Sequence, residues 1–204
     1  MIQLIAKAAH SRAVAKQLKG REVAAKKALD RTMADMRRSA PGKVADAVRS
    51  VYNIKKGDLM PGSNAAAITM AGEGPDSFRI KYAGRVLTPV HFGMTPKAKP
   101  AGRRKYTPAL QIKKNRKVKL TPIVAPGRAG NAFARPSASP YFLGSSNGSP
   151  GLLMQRHGDS VDKVFRTVSV PQMVGSKLVA SAAQRALADL SEGRLEHNLK
   201  RALS

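Results

Sequence analysis

Residues 66–82 read AAITMAGEGPDSFRIKY, and the alternation in their second half sets how the rest of the chain is read. Phe78, Ile80 and Tyr82 alternate with Arg79 and Lys81, the period of a strand with one face buried and one in water. Residues 66–71 form a second candidate strand, joined to the first by Gly72-Glu73-Gly74-Pro75-Asp76, a cluster of turn formers. Moving outward, residues 86–92 are a candidate next strand. Residues 110–113 and 117–120 flank Lys114-Asn115-Arg116 and predict a hairpin with a cationic tip. Residues 161–170 read as a final strand.

Both ends read as helix. Residues 3–38 are rich in Ala and Lys, with Val14, Leu18, Ala25, Leu29, Met33 and Met36 at the spacing of one helical face. Gly20 is a candidate kink, and Pro41-Gly42 is expected to end the helix because the residue before a proline resists helical geometry. A shorter helix over 42–53 would turn Val44, Val48 and Val51 to one side, before a loop over 53–62. Pro171 suits the first turn of a helix running to about residue 203. Its expected buried face is Val174, Leu178, Ala182, Leu187 and Leu190, with Gly193 a candidate division. This order predicts an α+β fold, with long N-terminal and C-terminal helices packed on a mainly antiparallel β-sheet and long extended loops between. One domain is expected over 1–204, made of a helical N-terminal segment (1–53), a β-rich segment (65–170) and a C-terminal helix (171–204). No internal repeat is visible.

Two loops stand out, 95–105 and 122–151, rich in Pro, Gly, Ser and Ala and too long for ordinary connections. Composition alone reads as disorder. Phe133, Tyr141 and Phe142 in the second loop favour arms that order against neighbouring subunits.

Across 204 residues hydrophobic side chains make up 42%, but aromatics only 4%, with no Trp. Such a core rests on Leu, Val, Ile, Met and Ala and is expected to be thin, which favours a homo-oligomer whose partner buries what the monomer cannot. The absence of Cys removes disulfides, thiol nucleophiles and thiolate metal sites. The start, Met1-Ile2-Gln3-Leu4-Ile5-Ala6, lacks the long apolar run of a signal peptide, and no stretch of 18 apolar residues occurs, so no membrane is expected as a partner.

Formal net charge is +25, from 37 Lys and Arg against 12 Asp and Glu. Its distribution is more telling: between Asp76 and Asp159 lie 82 residues with no acid and 16 Lys or Arg. A mixed solvated surface carries both signs. The candidate contact residues for an anionic partner are Arg103, Arg104 and Lys105, beside Lys97 and Lys99, and Lys113, Lys114, Arg116, Lys117 and Lys119 on the hairpin. A short charge run usually reads as a solvated face; uncompensated self-repulsion over this length favours a negative partner. Base-specific readout is not expected, since no helix-turn-helix, zinc finger or aromatic RNA-binding motif is visible.

Catalytic constellations are missing from the pattern. His10, His91, His157 and His197 have no partner at metal-ligand spacing, and neither HExxH nor an EF-hand loop occurs. Gly72-Glu73-Gly74 and Gly127-Arg128-Ala129-Gly130 lack the Lys-Ser/Thr ending of a phosphate-binding loop and read as turns. Ser137, Ser139, Ser145, Ser146 and Ser149 sit in no nucleophile elbow. Asp159 and Asp162 read as loop and strand-edge solvation, or as partners of Arg156 or Lys163. No enzyme, no metal and no cofactor is expected.

Residues 142–173 read FLGSSNGSPGLLMQRHGDSVDKVFRTVSVPQM. A strand opening at Phe142, the run Gly151-Leu152-Leu153-Met154-Gln155-Arg156, and Ser169-Val170-Pro171-Gln172-Met173 before a terminal helix together resemble the minor tail protein Z (tail-completion) family of tailed bacteriophages. The N-terminal Ala/Lys helix and residues 40–58 are similar too, less specifically; residues 93–104 and 125–149 are longer and looser than that pattern. Physically, the Ser-Val-Pro-Gln-Met segment is a strand-to-helix handover, with Ser169 or Val170 near the N-cap and Pro171 in the first turn. The resemblance implies a virion protein assembled in the host cytoplasm, at the head-proximal tail end or neck. It further implies a ring, usually sixfold, with neighbouring tail or neck proteins and genomic DNA in the channel as partners.

Two other readings use the same features. A nucleic-acid-binding protein outside any virion accounts for the basic block but lacks a recognised module. An enzyme acting on nucleic acid needs a carboxylate cluster for metal ions, which the acid-free middle denies at its most basic surface.

Overall fold

Phe78, Ile80 and Tyr82 lie on the central strand of the first sheet, and all three are fully buried, as their alternation requires. The computed structural model describes residues 2–7, 21–74, 77–96, 108–119, 142–146, 149–157, 160–163 and 167–203. The fold is α+β. Its elements are β1 (Ile2–Lys7), α1 (Glu22–Val51), β2 (Ala67–Gly74), β3 (Ser77–Ala83), β4 (Ala109–Lys113), β5 (Arg116–Lys119), β6 (Phe142–Ser146), β7 (Ser149–His157), β8 (Ser160–Lys163), α2 (Val170–Val174) and α3 (Lys177–Leu203). Short 3-10 turns occupy Lys56–Leu59 and Pro89–His91. The chain divides into two compact units. The first takes Met1–Val51, Lys56–Arg85 and Ser169–Ser204; the second takes Tyr52–Lys55 and Val86–Val168.

In the first unit β3 pairs antiparallel with β1 on one side and β2 on the other. Ile80 stands opposite Leu4 and Met70, and a bulge between Gly72 and Gly74 closes the expected hairpin. Residues 3–7 are therefore strand, not the start of the N-terminal helix. Ile2, Leu4 and Ile5 suit either state locally, and β3 would otherwise present an unpaired edge of backbone donors and acceptors. The remainder of the expected first turns, with Val14 and Leu18, lies outside the described residues.

The helix α1 runs 30 residues and passes through Pro41, joining the two helices that the proline was expected to separate. Met36, Ala40, Pro41, Val44, Ala45 and Val48 continue one buried surface across it. That packing outweighs the lost bond to Arg37, since a proline in a helix interior costs about 3 kcal/mol and burying a single Val or Met returns roughly 1.5–3 kcal/mol. α3 runs antiparallel to α1, Asn198 lying against Thr32 and the stretch around Asp189 against Lys43. Its buried face is Val179, Ala183, Leu187, Ser191, Leu195 and Asn198. The expected face was rotated: Leu187 belongs to it, but Leu178 is 71% exposed and Ala182 and Leu190 are half-buried. Gly193 does not divide the helix. The break falls at Gly175-Ser176, where the Gly175 N–H donates to Pro171 O (2.9 Å) and Ser176 Oγ donates to Met173 O (2.9 Å).

At the start of α2 the expected handover is present as a capping box. Gln172 N–H donates to Ser169 Oγ (3.3 Å), and Ser169 N–H donates to Gln172 Oε1 (2.9 Å), with Pro171 in the first turn.

The second unit holds the β4–β5 hairpin and an antiparallel sheet ordered β6-β7-β8. Leu143 stands opposite Leu153 and Phe142 opposite Met154. The expected loop 122–151 thus ends in strands from residue 142, because Leu143 and Leu153 are buried while Ser and Gly at neighbouring positions hid the alternation. Phe133, Tyr141 and most of both expected loops lie outside the described residues. Residues 86–92 do not form a strand: Pro89 has no N–H for a ladder and opens a 3-10 turn that ends at the fully buried Phe92. Of the expected strand over 161–170, residues 161–163 are strand, residues 164–166 lie outside the described residues, and Val170 already belongs to α2.

Candidate anion-contact hairpin and groove

Ile112 and Asn53 begin the site, the Asn53 N–H donating to Ile112 O at 2.8 Å. Tyr52 bridges Lys113 in antiparallel sense, and Thr95 and Ala109 exchange both backbone bonds (2.9 and 2.8 Å). These contacts tie the outer edge of β4. Its inner edge pairs with β5 in the register Ala109↔Lys119, Leu110↔Val118 and Lys113↔Arg116. The turn is Lys114-Asn115 alone, Arg116 having joined the strand, and Gln111 Nε2 donates to Lys114 O across it. A two-residue connection of this kind suits Asn, which tolerates the left-handed region.

Lys113, Lys114, Arg116 and Lys117 are brought together at this end of the hairpin, and all four are exposed. Lys119 closes β5 opposite Ala109. Arg103, Arg104 and Lys105 lie outside the described residues. No Asp or Glu lies between residues 77 and 158, so the segments entering and leaving the hairpin bring no counter-charge. Four cations at one end of the hairpin raise the local potential, and a neighbouring anion is attracted without any base or side-chain specificity.

Beneath the cations is a feature that charge counting does not reveal. Tyr52, Leu110, Ile112, Val118 and Val168 line a groove of about 500 Å³ with Lys113 and Arg116. Val168 is held by its carbonyl, which accepts from the Leu87 N–H (3.4 Å), next to the bond from Thr167 Oγ1 to Leu87 O. Val118, on β5, is 45% exposed. The alternation of Leu110 and Ile112 on β4 signals half of this wall in the sequence. Tyr52 and Val168, 116 positions apart by number, reach it only through the fold.

In the first unit a second cleft, of about 510 Å³, is lined by Lys43, Asp189, Arg194 and His197 over Ala186, Leu190 and Gly193. Asp189 stands among its cations, so it is balanced in a way the hairpin is not. Of the other histidines, His91 lies in the 3-10 turn and His157 on β7, while His10 is outside the described residues. Among the described residues no three His, Asp or Glu side chains gather as a metal-ligand set, and no helix is long and apolar enough to cross a membrane. No family model, curated protein or solved structure matches the chain.

Proposed function

We propose that this chain is a non-enzymatic structural protein of a tailed-bacteriophage particle. In this reading it is a minor tail, tail-completion subunit within a homo-oligomeric ring, sixfold by the usual symmetry of that position. The ring sits at the head-proximal tail end or neck and contributes to tail completion and head–tail joining, meeting DNA or acidic neighbours through its basic surface. The observation that carries the contact role is the exposed quartet Lys113, Lys114, Arg116 and Lys117 within an 82-residue stretch free of acids. The resemblance of residues 142–173 to the tail-completion family supports the place in the particle.

The test is imaging of purified particles carrying an epitope-labelled chain, alongside a variant with Lys113, Lys114, Arg116 and Lys117 all changed to Gln. Label at one end of the tail is expected. The Gln variant should fold normally, because these side chains are exposed, yet join tails to heads poorly. If the label is absent from particles while the Gln variant loses affinity for any duplex and flattens its salt dependence by up to about four counterions, the chain is a nucleic-acid-binding protein outside the virion.

A further inference from the structure

We infer that the β4–β5 hairpin docks an extended segment of a different protein, one that alternates acidic with apolar side chains and lies along β5. This deepens, and rests on, the reading of the hairpin as an anion-contact element. Three observations point to that occupant.

The first is the edge. Asn53 and Thr95 occupy the outer side of β4, whereas β5 pairs with β4 alone among the described residues. Among the described residues the ladder positions with no second partner strand are those of Arg116–Lys119, and backbone pairing there supplies affinity while side-chain pockets supply choice.

The second is the groove. Leu110, Ile112, Val118 and Val168 offer an aliphatic wall, with Lys113 and Arg116 among its lining. A nucleic-acid backbone placed on those cations would leave the wall wet. A strand along this edge, with alternate residues on opposite faces, puts apolar side chains over the groove beside Val118 and carboxylates on the other face, with Lys117.

The third is complementarity. With no acid from 77 to 158, the chain segments adjoining the hairpin cannot neutralise it, and a second copy brings a net charge of +25 of its own. The chain's 12 acids include no run that alternates acid with a large apolar residue. The occupant therefore comes from another protein.

The experiment titrates the full-length protein with synthetic heptapeptides that alternate Asp with Leu, Val or Phe. Controls are a heptapeptide alternating Asp with Ser, of equal charge, and a short DNA duplex; binding is followed by NMR of the Leu110, Ile112 and Val118 methyls. At least one apolar peptide should bind about tenfold or more tightly than the Asp–Ser peptide, the difference expected for burying one aliphatic side chain. Val118→Ser, at an exposed position, should erase that difference and leave Asp–Ser affinity unchanged, while Lys117→Gln, on the opposite face, should weaken every acidic peptide. The inference is overturned if Asp–Ser binds as tightly as the apolar peptides. It is overturned equally if the duplex outcompetes all peptides with Val118→Ser having no effect, which assigns the hairpin to phosphate. Absence of peptide binding overturns it as well and leaves the cations as guards against edge pairing. None of these outcomes touches the particle-labelling result, so the two readings fail separately.

Discussion

Tyr82 shows how one buried atom sets a measurable property. The ring is 1% exposed, and its hydroxyl has no hydrogen-bond partner among the described residues. Burial disfavours the phenolate and pushes the Tyr82 pKa well above the usual tyrosine range. The neutral form is the one that folds, so its contribution is fully present below about pH 10, the unfolded value, and is lost as pH rises toward the folded one. Tyr82→Phe should be more stable at neutral pH by about 1 kcal/mol, since an unsatisfied buried hydroxyl is removed. The variant should also lose less stability than the parent above pH 10; urea midpoints at neutral and alkaline pH check both statements. Asn198 is the opposite case. It is 3% exposed and donates from Nδ2 to Thr32 Oγ1 (3.2 Å) and Asp35 Oδ2 (3.3 Å), while Thr32 Oγ1 donates on to Ala28 O (2.8 Å). Asn198→Leu should cost about 1–2 kcal/mol, and Thr32→Val combined with it should cost less than the sum by roughly 0.5 kcal/mol or more, measured as a double-mutant cycle in urea. Additive losses would show that the two side chains do not act as one network.

Among elements, α2 is the one whose start was most legible. Five residues cannot hold a helix by propensity alone, so the Ser169–Gln172 box and the burial of Val170, Met173 and Val174 define it. Ser169→Ala should lower stability by about 1 kcal/mol and Gln172→Ala by less, read from thermal or urea unfolding; the double variant should be less than additive because each side chain completes the same box. The β2–β3 pair and the β4–β5 hairpin were also legible, since both carry period-two patterns bounded by turn formers. The helix α1 was legible in type but not in length. Pro41 is a strong local stop signal, overridden because buried side chains on both of its sides pack as one surface. The stripe on α3 was misplaced by one position for a related reason: with Ala at 180, 182, 183 and 186, hydrophobicity is nearly uniform around the helix. Only contact with α1 selects which alanines are inside.

Across the whole molecule, charge is the property that reaches furthest. The ion pairs Asp35–Arg38, Asp46–Lys56 and Glu196–Lys200 are exposed or partly exposed and contribute little each. Glu196 is held below the usual carboxylate range by its bond to Lys200, so what this pair adds is present above that range and fades as pH falls through it. The formal net charge of +25 is left to self-repulsion. Raising NaCl from about 0.01 M to about 0.15 M shortens the Debye length from roughly 30 Å to roughly 8 Å and should raise the thermal midpoint by about 2–4 °C, as a gain near 1 kcal/mol would. An unchanged midpoint would mean that the charges are already too far apart to matter. The cationic hairpin, the acid-free middle, the β3 alternation and the helical ends were determined by the sequence alone, because each is a local pattern of charge or period. The division into two units, the conversion of residues 3–7 to an edge strand and the meeting of Tyr52 with Val168 were decided only by the tertiary structure. These depend on which surfaces find partners across long separations, and that burial is absent from any local window of the chain.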